Sequence, residues 1–295
     1  MIIVQIFFAI LLLGPMLWAG RNWTKYKGIS TPKGIANYTT MINSSVLYAL
    51  AFNLVFFLQE LFLVLGKKAL GLKTLLYHNN HTWEGEHPMT LLMQGSGALA
   101  IFLIGLICLG IFHFLTNSKS IWKLLVLWLA FHGLVQSLPQ VTVAYLDSST
   151  DVGEALVGYL NLSQPLLIVL AISSIIAIAL VNIWFSKELL GFVSSDVDLN
   201  NPKARFKYIR FIAVGAAFIG SILIIPFRIP PISQAITPFI IFFISIPWIW
   251  SSATLSKHVR GTSNKINEKI YWGPIVFLVL LLIFFQLVLA PGVEF

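Results

Sequence analysis

The fold of this chain is decided where a polar loop meets a long apolar run, in residues 77–115. The sequence there reads YHNNHTWEGEHPMTLLMQGSGALAIFLIGLICLGIFHFL. Residues 91–115 are long and apolar enough to cross the hydrocarbon core of a bilayer, which takes about 20 residues. Residues 77–88 hold three of the chain's six histidines, together with two glutamates. A membrane helix therefore follows a water-exposed loop in which ionisable groups are concentrated.

The composition of the whole chain is also that of a membrane protein. Of 295 residues, 58% are hydrophobic and 10% are charged, whereas a soluble domain carries about 25% charged residues. The sequence predicts an all-α, polytopic integral membrane protein surrounded by the lipid bilayer. Its one cysteine, Cys108, excludes an intrachain disulfide and a CxxC redox motif. The net charge of +8 does not indicate nucleic acid as a partner, because Lys and Arg flank apolar segments, as topology signals do.

Apolar runs of membrane-spanning length occur eight times. We predict a helical bundle that forms a single transmembrane domain over residues 1–295, with no soluble domain. The fifth run is long enough to be tilted or broken, and Gln164-Pro165 is the expected break point. The predicted spans are 2–19, 43–66, 91–115, 121–146, 155–185, 208–229, 232–256 and 272–291.

The basic residues set the expected orientation. Alternate connections carry 15 and 4 Lys or Arg residues, and the richer connections face the cytoplasm in multi-pass proteins. Both termini and residues 77–88 are therefore predicted outside, in the cytoplasmic membrane of a bacterium or archaeon. The richer set is Arg21, Lys25, Lys27, Lys33, Lys119, Lys123, Lys187, Lys203, Arg205, Lys207, Arg210, Lys257, Arg260, Lys265 and Lys269; the poorer set is Lys67, Lys68, Lys73 and Arg228.

Polar residues within the predicted spans lie at a similar outer depth in four consecutive helices. His132, Gln136 and Gln140 are four residues apart and so share one helix face. We predict an outward-open pocket in a polar-site half, 43–185, against an apolar scaffold half, 208–291. The alternative is that these side chains only link helices through hydrogen bonds. The predicted pocket residues are Gln59, Gln94, Ser96, Gln136, Gln140, Asn161 and Gln164.

The loop before the third span has the residue types of a transition-metal site. On a helical turn, His78 and His81 would point in one direction, with further ligands after Gly85. Imidazole and carboxylate groups suit Zn²⁺, Cu²⁺ or Fe²⁺. The alternative is a hydrated loop at the headgroup level. The predicted metal ligands are His78, His81, Glu84, Glu86 and His87.

Glu60, Glu84 and His132 are the candidate catalytic residues. A carboxylate inside the membrane is protonated or matched by a cation, and no Lys or Arg is expected beside Glu60. Its candidate partners are a loop-bound metal, a protonated His132 or a proton shared with Gln59. His132 itself reads as a ligand, a proton relay or a core histidine.

A bis-histidine haem is not expected from this chain alone. His113 and His132 differ in predicted depth by roughly 15 Å at 1.5 Å per residue, which is too far for one haem.

Two functions remain. One is a metal-dependent membrane enzyme that acts on a lipid or membrane peptide, with Glu60 or Glu84 as general base. The other is a transporter, or an accessory subunit of a larger membrane complex, that binds an ion, a quinone or a lipid headgroup.

The charge asymmetry leads to a topology test. A reporter fused after Phe295 should be active only outside the cytoplasm, because the connection before the last span belongs to the basic, cytoplasmic set. Paired alkaline phosphatase and green fluorescent protein fusions measure this. Fluorescence without phosphatase activity would place the fusion site in the cytoplasm and contradict the predicted orientation.

Overall fold

The computed structural model describes residues 2–31, 35, 38–115, 121–193, 199–256 and 269–295. Within them, eight helices are long and apolar enough to cross a membrane, as predicted. Five residues of the predicted cytoplasmic set, Lys33, Lys119, Lys257, Arg260 and Lys265, lie outside the described residues. The helices are α1 Ile2–Lys25, α2 Tyr38–Lys68, α3 Thr90–Phe114, α4 Ile121–Leu146, α5 Gln164–Leu190, α6 Pro202–Arg228, α7 Ile232–Ser252 and α8 Trp272–Leu289.

The predicted fifth span, 155–185, is divided in two. A short helix, Asp151–Gly153, continues into a π-helical turn, Glu154–Tyr159, and α5 begins only at Gln164. Pro165 lies in the first turn of α5, where a missing backbone N–H breaks no helical hydrogen bond. The proline therefore starts a helix at the predicted break point.

Helix α2 is the central element of the bundle. It packs against α3, α4, α6 and α8 and is buried around most of its circumference. The hydrophobic core includes residues from both predicted halves, such as Leu47 of α2, Phe131 of α4 and Phe227 of α6. Helices α3 and α4 approach closely at Gly105 and Gly133, where a Cβ on Gly133 would lie 2.6 Å from the Cα of Gly105. Such small-residue contacts are typical of membrane helix pairs.

A three-stranded antiparallel sheet covers one end of the bundle, which we call the sheet end. Strands β1 Lys73–Leu76 and β2 His81–Glu84 form a hairpin between α2 and α3, and β3 Val293–Glu294 pairs with the other edge of β1. The all-α prediction omits this sheet. Pairing of Leu76 with Val293 places the C-terminal strand and the histidine-rich loop at the same end, as the predicted topology requires.

Candidate functional site

The hairpin carries His81 into the bundle. Successive side chains of a strand point to opposite faces, so His81 and Trp83 face inward while Thr82 and Glu84 face water. The imidazole of His81 is buried, and its ring stacks against Trp83 with centroids 5.9 Å apart. The expected helical turn at His78 and His81 is wrong, because the loop forms a hairpin there.

Four buried side chains form a continuous hydrogen-bonded group, which we call the ion chain: Glu60, His81, Lys67 and Gln94. His81 Nδ1 lies 2.9 Å from Glu60 Oε2, and His81 Nε2 lies 2.8 Å from Lys67 Nζ. Lys67 Nζ also donates to Gln94 Oε1 at 2.7 Å. An ammonium has only donors, so Nε2 of His81 accepts from Lys67 and Nδ1 carries the proton given to Glu60. The imidazole of His81 thus links the ammonium of Lys67 to the carboxyl group of Glu60.

Helix α2 supplies both ends of the charge pair. Glu60 and Lys67 are seven residues apart, close to two turns, and therefore lie on one helix face. Lys67 is 0% exposed and its ammonium lies 4.4 Å from the centroid of the Trp83 ring. The expectation that no basic side chain would lie beside Glu60 is wrong.

Arg228, at the end of α6, is a second buried cation near Glu60. Its guanidinium lies 3.6 Å from the centroid of the Phe56 ring and interacts electrostatically with Glu60. One terminal nitrogen donates to Gln234 at 3.2 Å, whereas Nε and Nη1 have no hydrogen-bond partner within the described residues. The tip of the hairpin covers this position, because Asn79 Nδ2 donates to the Arg228 carbonyl at 2.7 Å.

A cavity of about 260 Å³, with a largely apolar wall and a few polar groups, lies beside the ion chain, between α2, α4, α7 and the Asp151 turn. Three predicted pocket residues meet in its wall, and Gln140 Nε2 donates to Gln59 Oε1 at 2.9 Å. Gln136 extends this polar group to His132 Nδ1 at 3.2 Å. The lining residues are Phe56, Gln59, Gln136, Pro139, Gln140, Val143, Thr150, Asp151, Val152, Thr237 and Ile241.

Asp151 places a carboxyl group in the cavity wall. Burial raises the pKa of Asp151, and the negative charge of Glu60 raises it further, although His81 and Lys67 act in the opposite direction. The electrostatics of the cavity and of the ion chain are therefore coupled. Asp151 precedes the predicted fifth span, 155–185, and was not predicted as a site residue.

Other predicted pocket residues lie elsewhere. Gln94 belongs to the ion chain. Ser96 Oγ donates to the carbonyls of Phe62 and Met93, and so ties α3 to α2. Asn161 is exposed in the turn before α5, and Gln164 is exposed as the first residue of α5. These two residues are not brought to the cavity.

The predicted metal ligands do not converge either. Among the residues that the structure describes, no group of three or more His, Cys, Asp or Glu side chains is placed to hold a metal ion. His78 Nε2 lies 3.0 Å from the carbonyl of Pro230, and burial lowers the pKa of His78. His87 Nδ1 accepts from the Met89 backbone at 3.1 Å, and Glu86 is exposed. The structure therefore does not show the predicted ligand set, and binding of Zn²⁺, Cu²⁺ or Fe²⁺ stays a prediction.

Two of the three candidate catalytic residues stand apart from Glu60. Glu84 is on the water-facing side of β2, 3.9 Å from Lys73 Nζ. His132 is 0% exposed and packed among aromatic rings, with the Tyr48 and Phe131 centroids 4.4 and 4.9 Å away. Its surroundings favour the interpretation as a core histidine.

Sequence reasoning missed Lys67 and Arg228 as site residues. Both were counted only as topology charges, since they stand near the ends of apolar runs. The signal for Lys67 was its seven-residue spacing from Glu60, which places both on one face of a helix. No comparable local signal marks Arg228, whose approach to Phe56 depends on how α6 packs against α2.

Comparisons with protein families, with curated proteins and with solved structures find no match for this chain.

Mutations in the ion chain should have non-additive effects on the free energy of unfolding. Glu60→Gln and Lys67→Met should each destabilise the protein by about 3 kcal/mol, because each leaves one buried charge uncompensated. The double variant removes both charges. Its loss of unfolding free energy should therefore be smaller than the sum of the two single losses, by about 1 kcal/mol or more. Unfolding in mixed micelles measures these free energies. Glu84→Gln, an exposed control, should change stability by less than about 0.5 kcal/mol, and strict additivity of the pair would disprove the coupling.

Asp151 gives a pH-dependent prediction. Its raised pKa means that the folded protein holds the proton more tightly than the unfolded chain, so ionisation lowers stability as pH rises through the folded-state pKa. Asp151→Asn should therefore raise the melting temperature at pH 8, and the gain should vanish below about pH 4, where both forms are neutral.

Asp147 provides the control of opposite sign. It is exposed, and hydrogen bonds from Ser149 lower the pKa of Asp147. Asp147→Asn should not stabilise the protein at any pH. Equal melting curves for parent and Asp151→Asn at pH 8 would contradict the interpretation of Asp151.

Proposed function

We propose that this multi-pass membrane protein binds a small organic cation in the cavity beside the ion chain, and that a proton on Asp151 competes with the ligand. The observation that carries the proposal is a partly buried carboxyl group in a cavity wall, electrostatically coupled to Glu60. An ionised Asp151 attracts a cation, and a protonated one does not. On this proposal the protein is a binding or transport protein.

The chemistry of the cavity supports a cation. Its polar groups, Gln59, Gln136, Gln140 and Thr150, offer oxygen acceptors to a cation. The Phe56 ring also lines the cavity, but the Arg228 guanidinium already lies 3.6 Å from its centroid, so the attraction for a ligand cation comes from Asp151. Among the residues that the structure describes, no Lys or Arg lines the cavity.

The size of the cavity limits the ligand. A volume of about 260 Å³ holds roughly eight waters at about 30 Å³ each. A quaternary ammonium of the size of choline fits, whereas the headgroup and chains of an intact lipid do not. We therefore use choline as the probe and glycerol as its uncharged counterpart.

The ion chain is less suited to direct catalysis. The lone pair of His81 Nε2 is used by Lys67, and its Nδ1 proton is used by Glu60. A general base needs a free lone pair within reach of the substrate proton. In this arrangement, the ion chain sets the charge around Asp151 and Asp151 contacts the ligand, which favours binding over the enzyme alternative.

Calorimetric titration of choline into protein in nanodiscs tests the proposal. Choline should bind more tightly at pH 8 than at pH 5, because the raised pKa of Asp151 leaves more of the carboxyl protonated at pH 5. Asp151→Asn should weaken binding about tenfold or more and remove the pH dependence, since a charge-assisted contact is lost.

Two controls accompany the titration. Asp147→Asn removes an exposed carboxylate from the same connection and should leave choline affinity within about twofold, because charges on the surface are screened. Glycerol should show no difference between parent and Asp151→Asn. Choline binding that is independent of Asp151, or absent at both pH values, would refute the proposed function.

A further inference from the structure

A second cavity, of about 290 Å³, lies at the end of the bundle opposite the sheet. We call it the basic pocket, because Lys27, Lys203, Lys207 and Arg210 all line it. It lies between the end of α1 and the beginning of α6. No carboxylate is among the described residues that line it. Four basic side chains thus share one cavity wall in which the described part of the chain places no acidic side chain.

Local contacts hold these cations at the pocket. Lys203 Nζ donates to the carbonyls of Lys27, at 2.8 Å, and of Ile29. Lys207 Nζ lies 3.4 Å from the hydroxyl of Thr31. In the part of the chain that the structure describes, no carboxylate oxygen lies within 4 Å of any of the four basic side chains. Among the described residues, no acidic side chain therefore neutralises the positive charge of the pocket.

An apolar groove of about 510 Å³ meets the basic pocket at Trp23, which lines both. The Arg210 guanidinium lies 5.3 Å from the centroid of the Trp23 ring. From there the groove follows α1 through Gly20 to Met16 and is closed on the other side by Phe242 of α7. Met16 lies seven residues before Trp23, so the groove reaches roughly 10 Å further into the bundle at 1.5 Å per residue.

We propose that the basic pocket and this groove together bind one anionic glycerophospholipid, with its phosphate among the lysines and Arg210 and an acyl chain along the groove. Basic pockets between transmembrane helices on the cytoplasmic side are suited to anionic headgroups, and aromatic side chains such as Trp23 and Tyr26 mark the interfacial level. The proposal is independent of the function of the first cavity.

A lipid fits this surface better than a free phosphate compound. A soluble phosphate needs only the charged cavity, whereas the groove continues from the same tryptophan with an apolar wall. Gly20 lies in that wall, and a Cβ added there meets no atom within 4 Å, so the groove is open beside it. The two parts match the polar and apolar ends of one amphipathic molecule.

Native mass spectrometry of the full chain in detergent, titrated with dioleoylphosphatidylglycerol, tests the headgroup contact. The parent should bind one lipid preferentially over dioleoylphosphatidylcholine. Lys207→Gln with Arg210→Gln should weaken that binding roughly tenfold to thirtyfold, because each basic residue contributes to the attraction of an anionic lipid. Arg21→Gln with Lys25→Gln removes the same charge from exposed positions that line neither cavity and should change affinity by less than about twofold.

A second pair of variants tests the contact between the acyl chain and the groove. Gly20→Leu fills the groove without a steric clash and should weaken binding of the dioleoyl lipid at least about fivefold, while glycerol 3-phosphate should bind weakly to parent and variant alike. Gly110→Leu is the control, since Gly110 is also helical with no atom near its Cβ position but lies on α3, away from the groove.

Equal losses of lipid affinity in the two double variants would overturn the proposal, because they would show that the lipid responds to surface charge in general and not to the basic pocket. Glycerol 3-phosphate binding as tightly as the lipid, or Gly20→Leu without effect on the lipid, would also overturn it in favour of a soluble phosphate ligand. Failure here leaves choline binding untouched, since Asp151 is at the other end of the bundle.

Discussion

The structure depends on charge compensation around Glu60. Removing a carboxylate from water is costly unless a cation and hydrogen bonds replace the solvent. Here His81 supplies the hydrogen bond and Lys67 the positive charge, with Arg228 packed on Phe56 nearby. Because Glu60 and Lys67 both belong to α2, the central helix carries its own counter-ion. The remaining elements exclude water from this group.

The hairpin contributes the imidazole of the ion chain. His81 of β2 contacts both Glu60 and Lys67 of α2, although these two residues are about two helical turns apart. The hairpin tip is held in turn by backbone carbonyls after α6, which receive hydrogen bonds from Asn79 and lie close to His78. Three histidines near in sequence therefore have three different partners. Their clustering in the sequence reflects a short connection and gives no shared ligand set.

The helices were predictable because apolar length is a strong signal in membrane proteins. The amide group of Gln136 and Gln140 was predictable as well, since four-residue spacing fixes one helix face. The hairpin was not predictable, because its strands have only four residues each, and so short an alternation of inward and outward side chains resembles a polar loop. Lys67 was missed for a different reason. Its long side chain turns inward at a helix end, and the same residue in water would serve only as a topology signal.

The pairing of β3 with β1 bears on how the protein is made. Strands β1 and β2 emerge from the ribosome early, between the second and third helices, whereas β3 follows the eighth helix. Until then one edge of β1 lacks its partner, and the unpaired edge of a strand is open to incorrect pairing. The hydrogen bond from the Phe295 amide to the Thr74 carbonyl, at 2.9 Å, forms only when the last helix has been inserted. The sheet is therefore completed only after the eighth helix has been translated, and a chain that stopped before β3 would leave the hairpin above Glu60 and Lys67 without its third strand.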